Sequence, residues 1–205
     1  MQDIFEQLVT DYLHVRGYFT RHNVKFRPNP KDHDYEPKKD SNFSDIDVIG
    51  LNPLEKSATD RVWVVSCKSW QSGFVVERKV SEIKAQKIVA GKEAWKAFRE
   101  LTKRKWTVGF FAAVKRCTGS TRFTYVTAVT KIKGDRSRWE ENPHFRKAMR
   151  GNPIKLLTLE DMVKEIMAHM TTTLASSSLS RTLQLLKETH HLSIDHAVDG
   201  KSTQR

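Results

Sequence analysis

Two short runs decide the reading of this chain: Ser44-Asp45-Ile46-Asp47-Val48-Ile49-Gly50, and then Val62-Trp63-Val64-Val65-Ser66-Cys67-Lys68. Both are short, apolar and rich in β-branched residues, so they read as neighbouring strands. Residues two apart in a strand share a face. Asp45 and Asp47 therefore point one way, and so do Ser66 and Lys68. Pairing the two strands brings a carboxylate close to a lysine whose stem is buried.

Elements can be read outward from this pair. Residues 2–16 carry Ile4, Phe5, Leu8, Val9, Tyr12 and Leu13 at three-to-four spacing, which predicts an amphipathic helix closed by Gly17. Residues 18–26 read as a strand. Residues 27–42 are a polar loop, and the two key strands span 44–51 and 61–68. A loop around Gly73 leads to one long helix over 79–103. Trp106–Val114 reads as a central strand and Phe123–Ile132 as another. Residues 133–152 read as irregular or weakly helical. Leu156-Leu157-Thr158 leads into a helix ending near His169, with Thr158 as N-cap and Asp161 at the capping-box position. The order α-β-β-β-α-β-β-α predicts an α/β fold with a mixed central sheet flanked by helices.

A domain over residues 1–170 is followed by a tail over 171–205. The tail begins Ser/Thr-rich, and Leu179, Leu183, Leu186 and Leu192 line one face of a short helix that packs on the body or on a second copy. Residues 199–205 read as disordered.

The chain has 205 residues, and 36 Lys and Arg against 24 Asp and Glu give a net charge of +12. Such a balance points to a polyanionic partner, nucleic acid first. No apolar run reaches the roughly 20 residues of a membrane span. The start Met1-Gln2-Asp3-Ile4-Phe5-Glu6 lacks the basic and apolar regions of a signal peptide. Cys67 and Cys117 form neither metal spacing nor a disulfide framework, so a cytoplasmic protein is expected. The eight histidines show no ligand spacing. There is no Gly-rich phosphate loop, hence no nucleotide-driven motor.

The chain resembles the PD-(D/E)XK nuclease superfamily, the restriction-endonuclease-like fold, and within it the Mrr-like restriction enzymes. The resemblance covers residues 2–168. It rests on Glu6 in the first helix, Asp47 in Asp45-Ile46-Asp47-Val48-Ile49, Lys68 closing Val64-Val65-Ser66-Cys67-Lys68, and the helix and apolar strand beyond. It implies an αβββαβ core and Mg2+-dependent hydrolysis of DNA, with Mn2+ substituting and a 5′-phosphate product. Asp47 would hold the metal, Lys68 would be catalytic and Glu6 supporting.

Ser66 departs from the family pattern, which has Glu or Asp there. A neutral hydroxyl is a poor magnesium ligand. One reading is an inactive site, natural or by substitution, in a protein that binds DNA without cutting. Another moves the acid to the following helix, as a subgroup of restriction enzymes does, 14 residues after the lysine. Here that residue is Glu82, with Glu77 nearby. Asp45 is a further candidate ligand on the face of Asp47.

DNA contacts are expected from Trp70 and Gln71, which follow the lysine. Trp70 either stacks on a nucleotide or caps the core. Lys79, Lys84 and Lys87 would meet phosphates, as would Lys115, Arg116 and Arg122 around the Thr118-Gly119-Ser120-Thr121 turn. Cutting duplex DNA implies a homodimer. A chain this short, without a reading domain or a motor, also suggests a specificity or motor subunit. A junction-resolving nuclease is the alternative on the same fold.

Overall fold

The computed structural model describes residues 3–40, 42–171, 173, 175 and 177–188. The chain opens with α1 (Ile4–Val15), whose Phe5, Leu8, Val9, Tyr12 and Leu13 are buried as the spacing predicts. Asp3 caps it by accepting the Phe5 amide at 2.7 Å. Next come β1 (Phe19–Phe26), the short α2 (Pro37–Asp40), β2 (Ser44–Leu51) and β3 (Val62–Lys68). The 27–42 loop is fastened by the buried Lys105 ammonium, which donates to Asp40 Oδ2 at 2.6 Å and to the Asp34 carbonyl at 2.7 Å.

Beyond β3 lie β4 (Phe74–Val75), α3 (Val76–Lys84), β5 (Ile88–Val89), β6 (Lys92–Glu93), a 3₁₀ turn over Ala94–Phe98, α4 (Arg99–Thr102) and α5 (Arg104–Thr118). The chain continues through β7 (Thr124–Val129), β8 (Ile132–Lys133), α6 (Ser137–Glu140), α7 (Pro143–Ala148), β9 (Ile154–Thr158), α8 (Leu159–Ala168) and α9 (Ser178–Glu188).

The protein is α/β, built on a mixed five-stranded sheet of order β1-β2-β3-β7-β9. β1, β2 and β3 pair antiparallel, and β3, β7 and β9 pair parallel. One face packs under α1 and α8 through Val48, Trp63, Val65 and Val126. The other packs under α3, α4 and α5 through Val64, Tyr125, Phe98 and Phe110. The Thr158 cap and its Asp161 capping box form as expected. α9 lies against α1 and α8, with Leu179 and Leu183 on the second core and Leu186 more exposed. Leu192 and residues 199–205 lie outside the described residues. Among the described residues, no helix is long and apolar enough to cross a membrane.

Three expectations need correction. The long helix over 79–103 does not exist. α3 stops at Lys84, and Gln86 takes a left-handed φ of 50°. The β-branched pair Ile88-Val89 then forms a hairpin with Lys92-Glu93. Its turn residues Ala90 and Gly91 both have positive φ, 49° and 74°, as a two-residue hairpin turn demands.

The expected strand Trp106–Val114 is helix α5. Trp106, Phe110, Ala113 and Val114 are buried at helical spacing, and Gly119 ends the helix in the left-handed conformation. Gly109 lets this helix close on the chain after β1: a Cβ there would stand 1.8 Å from the Arg27 carbonyl oxygen.

The run before Thr158 is a true strand, β9, rather than a lead-in to a helix. Five strands were expected in the sheet and five are present, but the fifth is β9, at the sheet edge, and not 106–114.

Candidate functional site

β2 and β3 remain paired to Val48 and Val65. Beyond that pair the strands part, and Asp47 turns its carboxylate onto the neighbouring backbone: Oδ2 accepts the Cys67 amide at 2.6 Å. Lys68 Nζ donates to the Ser66 hydroxyl at 2.8 Å. All three side chains are half-buried.

Burial pushes the Asp47 carboxyl above its ordinary range, and Asp45 adds to the rise. Lys68, the Cys67 amide and the Ser66 hydroxyl act against it. Glu6, half-buried on α1, is also raised, first by burial and then by Asp47, Asp3 and Asp45, with Lys68 opposing. Glu6 and Asp47 thus share one electrostatic neighbourhood with Lys68 as the common positive charge. Among the described residues, neither has an ion-pair partner within 4.0 Å. Burial pushes the Cys67 thiol up, with Asp47 adding to the rise and Lys68 opposing it.

Asp45 stays at the surface and pairs with Lys25 across the β1–β2 ladder at 2.7 Å. Glu82 is buried on α3 and held by Lys79 at 2.7 Å and Arg78 at 3.6 Å. No hydrogen bond or ion pair links it to Asp47 or Lys68 among the described residues. Trp70 packs on the core, stacked on Phe74 and edge-on to Phe98, with Lys79 Nζ 4.7 Å from its ring centre. Gln71, Lys84, Lys87, Lys115, Arg116 and Arg122 are exposed. Arg116 also donates to the Lys25 carbonyl at 3.2 Å.

The sequence reading passed over two residues beside the site. Tyr125 pairs with Val64 in the parallel β3–β7 ladder, and its hydroxyl donates to Glu100 Oε1 on α4. Glu100 lies inside the run misread as a continuous helix, which hid its position. Burial raises its carboxyl and Asp47 adds to that, while Tyr125 and Lys68 oppose. Tyr125 was legible only as one more apolar residue of a buried strand.

The one convergent trio of potential ligand atoms among the described residues lies elsewhere, at Asp32, His33 and Asp34 in the 27–42 loop. His33 bridges Asp32 and Asp34 there, at 3.3 and 3.1 Å. The chain matches no protein-family model, no curated protein and no solved structure.

Proposed function

We propose that this protein is a cytoplasmic Mg2+-dependent DNA endonuclease of the restriction-endonuclease-like fold, acting on duplex DNA as a homodimer. The observation that carries the reading is the meeting of Asp47 and Lys68 at the parted ends of β2 and β3, with Glu6 alongside. The order of α1, β1, β2 and β3, then the helices α3 to α5 and β7, supports it, as does the net charge of +12.

The residues fit a hard divalent cation. Asp47 and Glu6 are oxygen donors raised chiefly by burial, Glu6 also by Asp47 and Asp47 also by Asp45, and among the described residues no ion pair neutralises either. Asp47 would hold the cation, which when bound supplies Lewis-acid polarisation of a phosphate oxygen. Lys68 is fixed by Ser66 at the strand end. Its ammonium stabilises the negative charge that builds on the phosphoryl oxygens. Glu6 orders the attacking water through its carboxylate. Exposed Lys84, Lys87, Lys115, Arg116 and Arg122 add sequence-blind affinity for the backbone.

The neutral Ser66 favours a second reading, a protein of the same fold that binds DNA without cutting it. Nicking of supercoiled plasmid in Mg2+ or Mn2+ separates the two. Cleavage that disappears in Asp47→Ala and Lys68→Ala supports the nuclease. DNA retention in a gel without cleavage in either metal supports the binding protein. Cleavage that survives Asp47→Ala removes this site from the chemistry.

A further inference from the structure

We propose that Glu100, rather than Glu82, is the second acidic residue of the Asp47–Lys68 site, and that it joins Asp47 in holding the divalent cation. The inference rests on the metal-dependent reading above and names the residue that replaces the acid missing at Ser66.

The sheet register brings Glu100 there. Ser66 pairs with Thr127 and Val64 with Tyr125 in the parallel β3–β7 ladder. Strand alternation puts Val64, Ser66 and Lys68 on the same face as Tyr125 and Thr127. Glu100 descends on that face from α4, only 7% exposed, and takes the Tyr125 hydroxyl. Lys68 reaches toward the same segment, with Nζ 5.6 Å from the ring centre of Phe98.

Charge balance separates the two glutamates. Glu82 already has Lys79 and Arg78 within ion-pair distance. Glu100 has no cationic side chain within 4.0 Å among the described residues, although it is as buried as Glu82. A buried carboxylate in that state needs either a proton or a cation. Its nearest influential charges are Lys68 and Asp47, those of the site itself.

A separate feature points to a ligand at the same spot. Thr127 is fully buried beside Ser66, and its hydroxyl has no hydrogen-bond partner among the described residues. Nearly all buried hydroxyls are satisfied, so this one calls for a water or ligand oxygen on the face of the sheet that Ser66 and Tyr125 share.

The test is Mn2+ binding by titration calorimetry, with plasmid cleavage measured alongside. Glu100→Gln keeps an acceptor for Tyr125 and removes only the charge. The expected result is at least tenfold weaker Mn2+ binding in Glu100→Gln and in Asp47→Asn, with Glu82→Gln within twofold of the parent. Loss of binding in Asp47→Asn with unchanged binding in Glu100→Gln overturns the assignment and leaves the Asp47 site standing. A parent that binds no Mn2+ overturns the metal-dependent reading, and this inference with it. If Glu100→Gln fails to fold, Glu100→Asp serves instead. Weakened binding with an unchanged melting temperature then supports the assignment, and unchanged binding overturns it.

Discussion

The Lys68 ammonium is held by the Ser66 hydroxyl at 2.8 Å, across two positions of the same strand. This neutral side chain therefore aims a cation that acts on Glu6, Asp47 and Glu100 alike. Ser66→Ala should leave the fold intact and let that ammonium swing. Hydrogen bonds to charged groups are worth roughly 1.5–3 kcal/mol. Both partners here are half-buried, so the lower end applies, or about tenfold in rate. Single-turnover plasmid nicking at saturating metal measures it. An unchanged rate would separate Ser66 from Lys68 function.

Glu100 makes a pH prediction that can be read without metal. Its folded carboxyl is raised above the ordinary 4.5, so the folded state holds a proton more tightly than the unfolded chain. Stability from this group is present at low pH and is lost as pH rises through the folded value. Melting temperatures in EDTA between pH 5 and 8 should fall more steeply for the parent than for Glu100→Gln. Asp47 and Glu6 are raised too and leave a residual slope in both proteins. Equal slopes would mean that Glu100 keeps the same protonation over this range.

Gly109 tests the helix that the sequence disguises as a strand. In an exposed helix interior, Gly→Ala stabilises by about 1 kcal/mol. Here the added methyl meets the Arg27 carbonyl oxygen at 1.8 Å, which requires α5 to retreat from the end of β1. Gly109→Ala should therefore destabilise, by about 1–3 kcal/mol as overpacking does. Urea midpoints at constant slope give the value. A stabilised variant would show that α5 does not press on this backbone.

The contrast between α5 and β2 explains what was legible. Asp47 and Lys68 sit on short β-branched runs that pair with each other locally, so the two-residue spacing along each strand put them together. Around Trp106 the run is apolar almost without interruption. Period 2 and period 3.6 both fit it, and only burial of Trp106, Phe110, Ala113 and Val114 on one side chooses the helix. The 79–103 stretch failed differently. Its alanines and lysines favour a helix locally, but packing of Phe98 and Leu101 and the left-handed Gln86 and Ala90 prevail. That break moved Glu100 to a face no periodicity could assign, whereas Glu82 was offered by its spacing of 14 residues from Lys68.

The same break changes which lysines should meet DNA. Lys79 is spent inside the protein, 14% exposed between Glu82 and the Trp70 ring. Lys84 and Lys87 are exposed at the end of α3 and the base of the β5–β6 hairpin, without ion-pair partners among the described residues. Each phosphate contact contributes close to one unit to the slope of log affinity against log salt. Lys84→Ala with Lys87→Ala should weaken binding of a random duplex uniformly and reduce that slope by about 2, leaving the melting temperature unchanged. Lys79→Ala should do the reverse, lowering the melting temperature by leaving the buried Glu82 with the longer Arg78 pair alone, and altering the slope little. Fluorescence anisotropy from 50 to 300 mM salt, run beside thermal melts, decides between the two patterns. A slope unmoved by the double substitution would take the hairpin base out of the DNA-binding surface.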